Sequence, residues 1–228
     1  MAMKDRYSRN MTTLSPEENK RLKEYKVCVI GCGGLGGYVI ELLGRLGIGT
    51  ITAVDGDVFD ITNLNRQILS AENLIGESKS KAAELRMSIV NSEVKLNPIH
   101  AFVTEENCGE IIKGHDIVVD ALDNITSRKL LEKHCEKLKI PMIHGAIAGW
   151  YGQVSTIMPG DRTIELIYPE NVNKGVEVEL GNPSFTPALV ASIQVAEVMK
   201  VLLHKGNILS KKFLTIDLLT HEYEVFTT

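Results

Sequence analysis

A glycine-rich turn and a short series of charged residues carry most of the chemistry this sequence could do. Gly31, Gly33 and Gly36 stand at G-x-G-x-x-G spacing after the apolar run "KVCVI", and Gly34 fills the middle of the turn. Such a turn lets backbone N–H groups and a helix N-terminus approach a phosphate closely. Asp55 ends the next apolar run, where a carboxylate can hold ribose hydroxyls. NAD and ATP both have phosphates and ribose, so these residues specify a nucleotide and leave its identity open. The charged residues that follow decide it: Asn63, Arg66 and Gln67 in "NLNRQ", Lys79 in "GESK", and Asp123, Asn124 and Arg128 in "ALDNITSR". Hydride transfer needs an apolar slot and a proton relay, and has no use for cations converging on phosphates. Attack on an α-phosphate does need them. Charge builds on the phosphoryl oxygens and the leaving pyrophosphate, and Arg, Lys and Mg²⁺ stabilise it. ATP is therefore expected, and NAD is not.

The elements that must position these residues alternate. "KVCVI" (26–30) reads as a buried parallel strand. "GYVIELLGRLG" places Val39, Leu42, Leu43 and Leu46 at helical spacing. A β-branched strand follows over 49–54, then a helix over 78–91 with Ala82, Leu85, Ile89 and Val90 near one face. "VKLNPIHAF" is a third strand, which Pro98 makes an edge or an interrupted one. A strand over 116–122, a helix over 127–139 and the strand "PMIHGAI" complete the alternation. That pattern specifies a parallel sheet with right-handed crossovers. After Gly149 it changes. "YGQVSTIMP" and "RTIELIYP" read as strands with no helix between them, so antiparallel pairing is expected there. "NVNKGVEVELGNPSFTP" reads as a long surface loop, 188–203 as an apolar helix, and the last segment as a hairpin.

Some residues admit a plainer reading. Asp57 serves equally as a turn cap, and Asn63 as a holder of its own local turn. Gln67 has a structural reading. Lys81 is a surface charge beside Lys79. Asp120 lies inside the strand that ends near Asp123 and competes with it, and Asp123 itself has a helix N-cap reading.

Composition bounds the rest. With 228 residues and 44% apolar content, one globular domain is expected. A formal charge of -4 gives no electrostatic case for nucleic acid. No apolar run is read as reaching the roughly 18 residues of a membrane span, and "MAMKDRYSRNMTTLS" has no signal-like apolar core. No membrane association is expected, and a cytoplasmic location is. The four cysteines Cys28, Cys32, Cys108 and Cys135 form no C-x-x-C pair, so no structural zinc is expected. They read as small buried side chains in a reducing compartment.

In combination and in order, "RYSRN", "GCGGLG", "DGD", "NLNRQ", "GESK" and "ALDN", followed by "GAIAGWYGQVSTIMPG" and "NPSFTPALVASIQVAEVMK", resemble the ThiF/MoeB/HesA group. These are bacterial relatives of the ubiquitin-activating E1 enzymes, and the resemblance runs over nearly the whole chain. It implies an α/β, Rossmann-like, mostly parallel sheet with helices on both faces, extended by antiparallel strands in the C-terminal part. It implies a single adenylation domain over 1–228. Residues 1–25 would be an N-terminal helical arm, 26–148 the nucleotide-binding half, and 149–228 a carrier-binding half with a crossover loop at about 161–186.

The resemblance also assigns roles. Gly31, Gly33, Gly34 and Gly36 lie under the ATP phosphates, Asp55 holds the ribose, and Asp57 is the second acid of that motif. Arg66 and Lys79 reach the phosphates. Asp123 organises Mg²⁺ and pyrophosphate, with Asn124 and Arg128 as helpers. Arg9 matches an arginine inserted into the neighbouring subunit's site, which implies a homodimer. The implied substrate is the C-terminal carboxylate of a small ubiquitin-fold sulfur carrier ending in Gly-Gly. The alternative is the family branch that adenylates a small-molecule or tRNA-base carboxylate; the balanced charge speaks against it. Two departures matter. The second half lacks the paired cysteines that bind zinc in many relatives. The loop at 161–186 has no cysteine for a covalent carrier adduct, so the reaction should stop at the acyl-adenylate and a separate donor should supply sulfur.

Overall fold

Short β-branched and aliphatic runs make the strands. They are β1 (Lys26–Ile30), β2 (Thr50–Val54), β3 (Lys95–Ile99), β4 (Ile117–Asp120), β5 (Met142–Ala148), β6 (Tyr151–Ile157), β7 (Lys212–Asp217) and β8 (Glu222–Thr227). This computed structural model describes residues 6–10, 12–168 and 177–228. All eight strands lie in one sheet in the order β3-β2-β1-β4-β5-β6-β7-β8. The pairs from β3 to β5 are parallel, and those from β5 to β8 are antiparallel. β3 is an edge strand, as Pro98 requires. The chain passes from β1 to β2 on one side and later returns to place β4 on the other. The crevice at that reversal, beyond the carboxyl ends of the strands, is where such sheets bind ligands.

Both faces of the sheet are covered. Val27 and Val29 point into one core with helix α2 (Gly34–Leu46), helix α3 (Lys79–Val90) and helix α8 (Phe185–Leu203). Cys28 and Ile30 point into the other, with α4 (Cys108–Ile112) and α5 (Ile125–Leu138). The alternation is that of a strand buried on both sides. All four cysteines are buried. The N-terminal helix α1 (Pro16–Leu22) starts at a capping box between Ser15 and Glu18.

Four expectations need correction. "RTIELIYP" is not a strand: Thr163–Ile167 is a helical turn, α6. Glu132 on α5 accepts from the backbone N–H of Ile164 (2.7 Å) and of Glu165 (3.2 Å), which satisfies the start of a helix rather than a sheet edge. β6 finds its antiparallel partners in β5 and β7 instead. Helix α3 also turns another face inward: Leu85 and Ile89 are exposed, while Ala82, Ala83 and Met87 are buried. Met87 lies so close to Gly44 that a Cβ there would sit 2.1 Å from its methyl carbon. Gly44 of α2 thus leaves the room that Met87 fills, which turns this face of α3 inward. The loop at 171–187 contains a short helix, α7 (Glu177–Leu180), and the first residues of α8; its part before 177 lies outside the described residues.

The fourth correction concerns α8. It starts at Phe185, with Pro187 in its first turn, and its 19 residues with mean hydropathy 1.4 are long and apolar enough to cross a membrane by length and composition. In the fold it is a core helix packed against α2, β5 and β6. Its buried Gln194 donates to the Asp120 carbonyl (2.9 Å).

Candidate functional site

A cavity of about 510 Å³ opens at the strand-order reversal. Gly31, Gly33, Gly34, Asp55, Asp57, Asn63, Arg66, Gln67, Lys79, Asp123, Asn124 and Arg128 all line it. Residues spread over nearly a hundred positions of sequence therefore meet in one place. Two expected residues do not line it. Gly36 lies one turn inside α2, and Arg9 is exposed on the N-terminal segment.

The glycines do two different jobs. Gly31 has φ +97 and donates to the Val54 carbonyl (2.8 Å), a conformation suited to glycine. A Cβ on Gly36 would stand 1.8 Å from the Gly31 carbonyl oxygen, so that glycine lets α2 pack onto the turn. Gly33 and Gly34 are not demanded by packing. A Cβ there would meet only the Gln67 amide at 3.6 Å or the Arg66 stem at 3.5 Å, both ordinary contacts. Their bare backbone faces the cavity at the start of α2, where the first N–H groups have no side-chain cap. The cradle fits an anion that must come close to the main chain.

The acids and bases around it are tightly held. Asp55 accepts from the Cys32 N–H (2.7 Å) and the Asp57 N–H (2.8 Å), one on each carboxylate oxygen. Burial pushes its carboxyl above the usual range, opposed by those two hydrogen bonds. Burial likewise pushes the Cys32 thiol up, so it is no nucleophile. Lys79 begins α3 and is buried, with 8% of its side chain exposed, yet a cation is unfavourable at a helix N-terminus. Asp57 compensates: its carboxylate takes the Lys79 Nζ at 3.1 Å and its carbonyl takes the Lys79 N–H at 3.1 Å. Asp57 is therefore more than a turn cap. Arg66 donates to the Thr62 carbonyl (3.0 Å) and the Asn65 side chain (2.9 Å), which lays its stem over Gly34.

Asn63 holds its own turn by accepting from the Asp60 N–H (3.1 Å). Gln67 is buried, and its Oε1 has no partner among the described residues. Asp120 and Asp123 separate cleanly. Asp120 is fully buried against His144, whereas Asp123 is exposed on the cavity wall. The cap of α5 is Asn124, which accepts from the Ser127 N–H (2.8 Å), so Asp123 is free of capping. One exposed carboxylate suits Mg²⁺, which takes few protein ligands and several from phosphate and water. Among the described residues no three His, Cys, Asp or Glu side chains gather to hold a metal by themselves.

Sequence reasoning missed part of the lining. Phe102 is exposed at the Asp55 end and covers Gly56, where a Cβ would lie 2.6 Å from its ring. Read as the tail of β3, it gave no sign of its place. At the opposite end stand Gly145, Ala146, Ile147 and Asn182. β4 pairs with β5 only as far as Asp120↔His144, while β5 continues against β6 to Ala148. The flank of β5 beyond His144 is thus left without a β4 partner and faces the cavity. The N-terminal segment carrying Arg9 is anchored: Tyr7 is buried and its hydroxyl accepts from the buried Asn91 amide (2.8 Å).

Comparison with known proteins identifies the family of the chain. A family model described as "ThiF family" matches residues 7–228. The chain is 35% identical over 225 residues to the SAMP-activating enzyme E1 of Haloferax volcanii, covering 96% of this chain and 83% of that protein. It is 33% identical over 234 residues to the sulfur carrier protein adenylyltransferase of Thermus thermophilus, covering 98% and 86%. Among solved structures, E. coli MccB with ATP superimposes with a TM-score of 0.82 at 24% identity, over 99% of this chain and 72% of that one, a likeness of fold.

Proposed function

The chain belongs to the ThiF family, and from that premise we propose that it is an ATP- and Mg²⁺-dependent adenylyltransferase. Its substrate is the C-terminal carboxylate of a small ubiquitin-fold sulfur carrier ending in Gly-Gly, and its products are the acyl-adenylate and pyrophosphate. The observation that carries this reading is the bare cradle of Gly33 and Gly34, flanked by Arg66 and Lys79 and faced by Asp123. A phosphate chain fits there, and cations stand where charge develops on it. The carrier carboxylate oxygen bonds to the α-phosphorus as the bond to the β-phosphate oxygen breaks, and pyrophosphate leaves. An ionised carboxylate is already a nucleophile, so no general base is needed and the protein acts by positioning and charge stabilisation. Asp123 would hold the Mg²⁺ that neutralises charge on the leaving pyrophosphate. Asp55 would hold the ribose, with Phe102 beside it.

The open flank of β5 at Gly145–Ile147 supports an extended, thin tail as the second substrate, since an exposed strand edge pairs with extended peptide. Arg9 would complete the site of a second copy, making a homodimer the active unit; it is exposed and does not line the cavity of its own chain. With no cysteine in 161–186, the reaction stops at the acyl-adenylate and a separate donor supplies sulfur.

The test is ATP–pyrophosphate exchange with Mg²⁺, with and without a Gly-Gly carrier. Exchange is expected to need the carrier and to fall by a factor on the order of 10²–10³ in Asp123→Ala. ATP binding with no exchange for any carrier offered would refute the reading. A carrier–enzyme adduct released by reductant would refute the absence of a covalent step.

A further inference from the structure

Behind the cavity wall lies a buried set of polar side chains that the reaction above does not use directly. Asp120, the last residue of β4, and His144 of β5 are both fully buried. The His144 Nδ1 lies 2.7 Å from one Asp120 carboxylate oxygen. The other oxygen accepts from the Leu122 N–H at 3.0 Å. Arg128, buried on α5, donates through Nη2 to the Leu122 carbonyl (2.6 Å) and through Nη1 to the Tyr168 hydroxyl (3.1 Å). Its guanidinium also lies over the Tyr168 ring, 5.6 Å from the centroid. The Tyr168 hydroxyl stands 3.4 Å from the His144 Nε2, and the two rings meet edge to face.

These contacts close on themselves. Burial holds His144 below its ordinary range, against the opposing pull of Asp120, so the ring is neutral. A neutral ring that donates from Nδ1 to Asp120 has Nε2 as an acceptor. Tyr168 can donate to it while accepting from Arg128, and the Gln153 side-chain amide, 3.3 Å from the same nitrogen, is a second donor to it. The circuit therefore runs Arg128, Tyr168, His144, Asp120, the Leu122 peptide and back to Arg128. Both hydrogen-bonding groups of Leu122 are held by it, and Leu122 is the residue directly before Asp123. Tyr168 enters the circuit from the other half of the chain, at the end of α6.

We propose that Tyr168 and His144 are positioning residues that act through Arg128 and Asp120 to fix the Leu122 backbone and so aim Asp123 at its metal and pyrophosphate. This rests on the adenylation reading, which gives Asp123 that task. Through Tyr168 it ties the site to the end of α6, so a residue from the second half of the chain bears on the geometry of the first. Outer-shell partners of a metal-holding carboxylate typically matter by about 10–100-fold in metal affinity or activity.

The test compares wild type with Tyr168→Phe, which keeps the ring and removes the hydroxyl, and with His144→Asn. Three quantities are read: the exchange rate with carrier, the Mg²⁺ concentration for half-maximal exchange, and ATP affinity by calorimetry without Mg²⁺. The expected result is a Mg²⁺ requirement raised about tenfold and a rate lowered to match, with Mg²⁺-free ATP affinity at the wild-type value. The double variant should be no worse than the worse single one, since either change opens the same circuit. A wild-type Mg²⁺ requirement in Tyr168→Phe would overturn the proposal. So would a parallel loss of Mg²⁺-free ATP affinity, the mark of a merely structural role. Wild-type protein that exchanges with no carrier removes the adenylation reading and this role with it, and that outcome is read before any variant is compared.

Discussion

The two ends of the crevice are held in different ways. At the Gly31–Asp55 end, the partners are largely backbone groups of one strand–turn–helix–strand unit: Asp55 takes the N–H groups of Asp57 and Cys32, and Gly31 donates to the Val54 carbonyl. At the Asp123 end, side chains from β4 and α5 hold the Leu122 backbone and are themselves contacted by His144 of β5 and by Tyr168 at the end of α6. The first end is built from local rules that a motif can encode. The second exists only when distant segments are packed. The lesson is that the glycine turn and the placement of Asp123 rest on separate contacts, and substitutions should separate the two roles proposed for them.

The largest effect is expected where the local end meets packing. Gly36→Val drives a side chain into the Gly31 carbonyl and should cost about 3 kcal/mol or more, read as a lowered denaturant midpoint. Gly34→Ala is its control within the same turn. It meets only ordinary contacts and should change stability by less than about 1 kcal/mol while weakening ATP binding in calorimetry. Equal loss of stability in both variants would erase the division of labour among these glycines. Lys79→Ala comes next. It should lower the exchange rate on the order of 10²-fold with far less effect on folding, because Asp57 is left half-exposed to water. A rate within threefold or so of wild type would mean that Lys79 serves Asp57 rather than phosphate.

The smallest effect is at the far end. Burial raises the Glu132 carboxyl to about 7, against the two backbone N–H groups it accepts from. A carboxyl raised on folding binds its proton more tightly in the native state than in the unfolded one. Its contribution to stability is thus present at low pH and is lost as pH rises from the ordinary carboxylate range through about 7. Denaturant midpoints for wild type should fall over that window relative to Glu132→Gln, which does not titrate. A flat difference would show that the α6 start is insensitive to this charge. Because α6 leads to Tyr168, the same titration probes the anchor of the second end.

Much of this protein was legible in its sequence, for identifiable physical reasons. Alternating β-branched runs and helical spacings specified the parallel sheet, and Pro98 placed β3 at its edge, because both signals are local. Twelve of the expected site residues line one cavity, since a strand-to-helix turn and strand ends put them on the same edge wherever the sheet forms. What failed in the sequence reading was decided by neighbours. α6 became helical because Glu132, 32 positions before Ile164, satisfies its first N–H groups. The inward face of α3 was chosen by the closeness of Gly44, and α8 gained its first turn and its burial from the sheet beneath it. Phe102 and the open flank of β5 carried no motif, because exposure beside a cavity is a property of the assembled sheet. Residue spacing by itself determined that the bare glycine backbone and the cations Arg66 and Lys79 would meet in one cavity. Only the tertiary structure decided that His144 would meet Asp120 and Tyr168 would meet Arg128 behind the cavity wall, because hydrogen bonds between distant segments have no signature until packing brings them within reach.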